Sequence, residues 1–414
     1  MILILADALR AKSVGCYGYG NSISPAIDDL AQKGVLFENC FTCTNATDPA
    51  LTSIMSGMLT RSHGILHHSY EVNDSELRTF DERNVRLLQE VFKDNGYHTF
   101  GLDFLHRWHA RGYDYYPHLK IDRTKRKRRM NRLSRLFGSI GLKPLFKEFL
   151  KTKISRRFGG FESYPRDNET AQKALELIAQ KKDPYFLFVH FWGVHTPYIC
   201  PQVENKLSVE CYDGAIEIVD NYIKQIADAA GEETLIVVLG DHGESLGEHD
   251  IWFDHHGLYD PSLHVPLIFS GPSVPSGKRV KGLVSVTDVF STILSLANVV
   301  YTGRTDSYDL SPYFAKEKDT IRDFVLAEEN YYQDKVCIRT KEHKLIKSTG
   351  RNVCELCKVR HGDDVELYNL EEDPNELCNI AALHGRTVAL LEQKLQCRDK
   401  PEMPYSPQVR THES

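Results

Sequence analysis

Over the first 300 residues, short apolar runs alternate with amphipathic stretches. MILILAD, HTFGLDF, YFLFVHFW, TLIVVLGD and VPLIFSG are rich in Ile, Val, Leu and Phe and read as buried strands. NVRLLQEVFKDNG, ETAQKALELIAQKK, YDGAIEIVDNYIKQIADAAG and TDVFSTILSLAN repeat apolar residues at helical spacing and read as helices. This alternation predicts an α/β fold with a mostly parallel central sheet flanked by helices. Sites in such sheets form at the carboxyl ends of the strands. Asp7, His195 and Asp241 follow predicted strands, so the hydrophobic pattern alone nominates them.

The pattern changes near residue 301. DFVLAEENYY, KVCIRTKEHKLIKS and VELYNL read as short strands and GRTVALLEQKLQ as a closing helix. The expected organisation is a catalytic α/β domain over 1–300, a small C-terminal subdomain with an antiparallel sheet over 301–398, and a polar, Pro-rich tail over 399–414. One segment stands apart within the first domain. Residues 120–157 hold fifteen Lys or Arg against Asp122 and Glu148 and read as a basic insertion. LFGSIGLKPLFKEFLKTKI within it has amphipathic character, which makes an anionic membrane surface a candidate partner. Aromatics are not interleaved with the charge, so no nucleic acid is expected.

Composition adds little. The chain has 414 residues, 41% hydrophobic and 26% charged, enough to bury a core. A net charge of -6 names no partner. No stretch reaches the ~20 apolar residues of a membrane span. MILIL reaches a carboxylate at Asp7 and lacks the basic flank of a leader, so a cytoplasmic chain, peripheral to a membrane at most, is expected. Ten cysteines are scattered. Cys354 and Cys357 form a CxxC with no second CxxC to complete a zinc site, so reduced thiols are expected.

The chemistry begins with Asp7, Asp241 and His242. An ionised carboxylate at the end of a buried strand is costly unless paired or metal-bound. Two converging carboxylates plus an imidazole would hold a divalent cation. The competing reading for either Asp alone is a helix N-cap.

NATDPALTSIMSG then resembles the nucleophile segment of the sulfatases, in the alkaline phosphatase superfamily, with Thr47, Pro49, Ile54, Ser56 and Gly57 in register. LILADALRAKSVGCYGYG, SPAIDDLAQKGVLFENCF, FVHFWGVHTPY, LGDHGESLGEH, FDHHGLYDPSLHVPLIFSGP and ELYNLEEDPNELCNIA resemble other blocks of that family in the same order. The resemblance implies the family fold, metal ligation by Asp7, Asp241 and His242, and a nucleophile at Thr47 whose oxygen also touches the metal. It implies that His195 lies near the transferred group and that His255 stands where many sulfatases carry a substrate-binding Lys. His63 lies on a family block. His106 and His109 are candidates for the pocket mouth, with Trp108 as packing. Surface roles are expected for Glu244 and His249.

Two departures redirect the chemistry. Sulfatases oxidise a Cys or Ser to formylglycine, generally with an Arg four residues on. Here those positions are Thr47 and Leu51. Ala8 replaces a second Asp found in many sulfatases. The smaller carboxylate count and His242 favour Mn²⁺ or Zn²⁺ over Ca²⁺, with Mg²⁺ also open. The expectation is one divalent ion and a hydrolase, or phosphotransferase, acting on an anionic phosphoric mono- or diester through a covalent Thr47 intermediate, with His255 as acid. The alternatives are a sulfuric ester hydrolase and a non-catalytic binder of an anionic glycan or lipid.

Overall fold

The computed structural model describes residues 1–117, 166–180, 182–200, 207–314 and 321–396. The basic insertion over 120–157, with the membrane contact expected of it, and the tail over 399–414 lie outside the described residues. The main sheet uses β1 (Ile2–Ala6), β2 (Val35–Phe41), β3 (His98–Leu102), β4 (Tyr185–Phe191), β5 (Ile236–Gly240), β8 (Leu267–Ser270) and β9 (Lys278–Ser285) in the order β3-β4-β1-β5-β8-β2-β9. A short hairpin, β6 (Ser245–Leu246) with β7 (Trp252–Asp254), stands outside it.

Both faces of the sheet are covered, which is why its central strands read as unbroken apolar runs. Leu3, Leu5, Phe186, Phe188, Val237 and Leu239 point to one side. There they meet residues of α2 (Thr47–Ser56), α5 (Leu88–Asp94) and α9 (Asp288–Leu296). Ile2, Ile4, Leu187, Val189, Ile236 and Val238 point to the other. There they meet α1 (Pro25–Gln32), α6 (Asp167–Gln180) and α7 (Val209–Ala230). The short helices α3 (Thr60–His63), α4 (Asp74–Glu82) and α8 (Asp260–Leu263) lie in connections. No described helix is long and apolar enough to cross a membrane.

β8 runs antiparallel to β5 and β2, and the other sheet pairings are parallel. A parallel successor to β5 would need a crossover to the opposite edge, usually a helix. The chain instead spends 241–266 on the hairpin and loops, then turns back as β8. That stretch carries Asp241, His242 and His255. β9 escapes the hydrophobic pattern because its first half, Lys278–Lys281, is polar and mostly exposed. The helix read from NVRLLQEVFKDNG starts only at Leu88, after Asn84 takes a positive φ of 51°.

Past residue 321, β10 (Val325–Glu329), β11 (Lys335–Arg339), β12 (His343–Ser348) and β13 (Val365–Asn369) form an antiparallel meander. One face of it carries Val336, Ile338, Leu345 and Leu367 against Leu391 and Leu395 of α10 (Gly385–Leu395). The other puts Val325, Ala327, Cys337, Ile346 and Tyr368 against Phe41, Ile251, Leu258, Tyr259 and Leu263 of the main body. Buried Lys344 strengthens this joint, at 2.8 Å from Asp260 and 2.6 Å from Glu376. The meander therefore packs directly beside the 241–266 stretch.

Candidate active site

β1 and β5 are neighbours in parallel register, with Ala6 opposite Gly240. The residue after each strand is an acid, so the pairing sets Asp7 beside Asp241. A Cβ at Gly240 would sit 2.4 Å from the Leu9 carbonyl, so the loop after β1 can approach only a glycine there. Ala8 holds a φ of 61°, and its N–H donates to Asp241 Oδ1 at 3.2 Å. Position 8 thus contributes a backbone hydrogen bond to the second acid.

His242 completes the set. Its Nδ1 donates to the Gly243 carbonyl at 2.9 Å, which leaves the lone pair on Nε2. That atom lies 3.5 Å from Asp7 Oδ1, 3.5 Å from Asp241 Oδ2 and 3.3 Å from Thr47 Oγ1. Asp7, Asp241 and His242 are wholly buried. Both Asp7 carboxylate oxygens and Asp241 Oδ2 are buried without a hydrogen-bond partner. Buried carboxylate oxygens are normally paired. Asp7 Oδ1 and Asp241 Oδ2 converging on an imidazole lone pair fit a divalent cation, and ligand atoms of the three residues lie within 4.8 Å of one another.

The electrostatics agree. Burial alone would raise Asp7, but His195 and His190 outweigh it and hold its carboxyl well below the usual range. Burial and the charge of Asp7 push Asp241 well above its usual range. Burial, reinforced by His255, keeps His242 neutral. Two acids that cannot both ionise comfortably are what a cation would relieve.

Thr47 is the first residue of α2. Ala46 precedes it in extended conformation, and Gly57 closes the helix at a φ of 66°. The nucleophile candidate therefore sits at the positive end of a buried ten-residue helix, where negative charge on its oxygen is favoured. Next to it, Asp48 is 3.1 Å from His109 Nε2 and 2.9 Å from His68 Nδ1. This network anchors the first turn of α2.

The imidazoles of His195 and His255 border the cluster. His255 stacks on His242 with ring centroids 4.4 Å apart, and His195 lies 5.2 Å from His255. Nδ1 of His195 donates to the Thr196 carbonyl at 2.7 Å and Nδ1 of His255 to the Asn45 carbonyl at 2.5 Å. In a neutral His255 ring, Nε2 remains as an acceptor. Burial is the main reason His255 is lowered to about 4, so it is neutral at pH 7. The residue expected as an acid thus presents a neutral ring in this structure. The structure puts His195 four residues past β4 rather than directly at its end.

The other candidates divide. His109 is buried and tied to Asp48, one residue from Thr47, so it braces the nucleophile segment. Trp108 packs in the core and donates to Thr52 Oγ1. His106 is half-buried at a φ of 59°, with its ring against Tyr116. His63 is fully buried, bonds Ser53 at 2.9 Å and accepts from the Ile65 N–H, away from the cluster. Glu244 is not at the surface as expected. It is fully buried, bonds Thr196 and Tyr198, and is raised to about 8 chiefly by burial. His249 stacks on Tyr259 with ring centroids 3.7 Å apart. Sequence reasoning missed His190, which reaches Asp7 at 3.5 Å and Asp103 at 2.8 Å. A polar residue inside the otherwise apolar YFLFVHF strand was the available signal.

A buried acid–imidazole cluster at the carboxyl ends of a mostly parallel sheet, beside a hydroxyl at a helix N-terminus, defines an ester hydrolase of the alkaline phosphatase superfamily type. The sulfatase family profile matches residues 1–299, and the chain belongs to that family. A profile described as N-sulphoglucosamine sulphohydrolase, C-terminal, matches 247–399. A Delta 4,5-hexuronate-2-O-sulfatase of Bacteroides thetaiotaomicron is 23% identical, over 92% of this chain and 84% of its own. The solved structure of a 2-O GAG sulfatase superposes with a TM-score of 0.68 at 18% identity, over 97% of this chain and 92% of that one. The phosphonate monoester hydrolase of Agrobacterium radiobacter superposes with a TM-score of 0.70 at 18% identity, over 96% and 94%.

Proposed function

We propose that this sulfatase-family hydrolase cleaves an anionic phosphoric ester, with Thr47 as covalent nucleophile. The single observation behind this reading is a threonine at the nucleophile position, 3.3 Å from His242 Nε2 and at the start of a buried helix. Threonine carries a secondary alcohol and cannot yield the formylglycine aldehyde. It can form a phosphoester that a water molecule later displaces.

Asp7, Asp241 and His242 would hold the divalent ion, which supplies Lewis acidity that favours the ionised hydroxyl and neutralises charge on the transferred group. The chain's own residues supply the rest. The α2 N-terminus favours negative charge on Thr47 Oγ1. Asp48, clamped by His68 and His109, fixes the turn that presents Thr47. His195 and His255 turn their Nε2 atoms to the substrate. Neutral His255 can accept a hydrogen bond from the water or alcohol that releases the intermediate.

A second reading has its own support. The curated relative named above is a sulfatase, and the comparisons favour a sulfuric ester over a phosphoric one, borne on a sugar as in that hexuronate-2-O-sulfatase. One paired assay separates the readings. Aryl phosphate mono- and diesters are compared with aryl sulfate, with and without Mn²⁺, and rapid acid quench probes for a phosphate adduct on the Thr47 peptide. The proposal requires the adduct and faster turnover of a phosphate ester. Faster turnover of aryl sulfate than of every phosphate ester overturns it in favour of the second reading.

A further inference from the structure

Outside this cluster, four potential soft-metal ligands meet where the meander packs on the main body. Ligand atoms of His256, Cys354, Cys357 and His361 all lie within 4.8 Å of one another. His256 Nε2 is 3.2 Å from His361 Nε2. Cys357 Sγ is 2.8 Å from His361 Nε2 and 3.9 Å from His256 Nε2. A tetrahedral zinc with two thiolates and two imidazoles would hold its ligand atoms about 3.3–3.8 Å apart, given Zn–S of about 2.3 Å and Zn–N of about 2.0–2.1 Å. The observed separations scatter around those edges, so shifts of up to about 1 Å complete the shell.

We propose that this cluster is a structural zinc site. The plain-thiol expectation for the CxxC overlooked two histidines: His361, four residues after Cys357, and His256, about a hundred residues earlier in the chain. Cys-x₂-Cys-x₃-His is ordinary ligand spacing for a closed zinc site, with the fourth ligand from a distant loop.

Four further features support a built site. The Cys354–Lys358 turn is shaped by its own backbone: the Lys358 N–H donates to the Cys354 carbonyl at 2.9 Å, the Cys354 N–H donates to the Val359 carbonyl at 2.8 Å, and Lys358 takes a φ of 62°. Cys354, His256 and His361 are buried, while Cys357 lies at the surface. Asp254 Oδ1 is 2.9 Å from His256 Nδ1. A carboxylate there holds the proton on Nδ1 and aims the Nε2 lone pair into the cluster, as carboxylates behind zinc-bound histidines do. Lys335 Nζ donates to the His361 carbonyl, fixing the other histidine's backbone. All four ligands come from protein, which leaves no position for substrate, so the role is structural. The zinc would tie the meander's 354–361 loop to the strand-end loop that carries His255.

The test counts metal at two places. Wild-type protein, an Asp241→Ala variant and a Cys354→Ala/Cys357→Ala variant are purified without chelator and assayed for zinc. About one zinc should persist in Asp241→Ala, and the double cysteine variant should hold about one zinc fewer than wild type. Cobalt substitution should give wild type and Asp241→Ala a thiolate-to-cobalt charge-transfer band, absent from the cysteine variant. A folding failure of that variant does not blunt the test, because X-ray absorption at the zinc edge of wild type reads the shell directly. Two sulfur and two nitrogen neighbours are expected. A zinc shell without sulfur overturns the proposal. So does metal-stripped wild type whose Cys354 and Cys357 thiols react equally fast with and without added Zn²⁺, which would mark a hydrogen-bonded His/Cys cluster only.

Discussion

His255 and His256 are consecutive residues that serve two different clusters. His255 stacks on His242, beside carboxylates that end buried strands. His256 faces two cysteines and a histidine contributed by loops of the second sheet. The first cluster offers hard oxygens, two acids in conflict and a hydroxyl nearby. The second offers soft sulfur and nitrogen in a closed set of four. Hard, incomplete shells leave room for substrate, whereas closed soft shells hold chain segments together. Asp254 touches both sides, accepting from the backbone N–H groups of His255 and His256 and from the His256 ring.

The widest separation between the two clusters should be in turnover. Thr47→Ala is expected to lower it on the order of 10³-fold or more, as removal of a nucleophile does, while zinc content is unchanged. Steady-state assays on the preferred ester, with zinc analysis, check this; near-wild-type turnover would remove Thr47 from the chemistry. Thr47→Ser should retain part of the activity.

The hard-ligand cluster should also show itself in stability. Asp241→Asn removes one of two buried acids that repel each other. Metal-free variant protein should therefore melt above metal-free wild type. With excess Mn²⁺ the order should reverse, because ion binding stabilises only the intact site. Thermal melts of both proteins in both conditions test this, and an unchanged order on adding Mn²⁺ would count against the ligand assignment.

Between the clusters lies the joint that brings the meander to the main body. Lys344→Ala leaves Asp260 and Glu376 buried without their cation, a loss expected to cost about 3–5 kcal/mol in chemical denaturation. Lys344→Met, which keeps the apolar stem, should cost less. Equal stability of Lys344→Ala and wild type would show that the pairs carry no net weight.

The smallest effect concerns the shared carboxylate. Asp254→Asn should weaken zinc binding by about 10-fold, as loss of the group behind a ligating histidine does, and slow turnover by a smaller factor through His255. Competition with a zinc indicator measures the first and kcat the second. If zinc affinity falls and kcat does not move, the two clusters are mechanically independent.

Much of the active cluster was legible in one dimension. Asp7 and Asp241 end strands whose apolar runs are unmistakable, because strands buried on both faces need no polar alternation. Thr47 is readable from the resemblance of its local segment to the sulfatase nucleophile motif, with Pro49 and Gly57 in register. Residues whose roles depend on contacts between distant segments were not legible. His190 looked like an interruption in a strand until Asp7 and Asp103 came to either side of it. Glu244 was expected at the surface just past the metal motif, yet the fold turns it inward against Thr196 and Tyr198.

The sequence by itself determined the alternation of elements, the parallel core and the strand-end acids, because each depends on periodicity or local spacing. Tertiary structure alone decided that β8 runs backward, that His255 is desolvated and neutral, and that His256 meets Cys354, Cys357 and His361. Those outcomes depend on which distant surfaces come together, and burial and proximity are properties of the packed chain that no local pattern encodes.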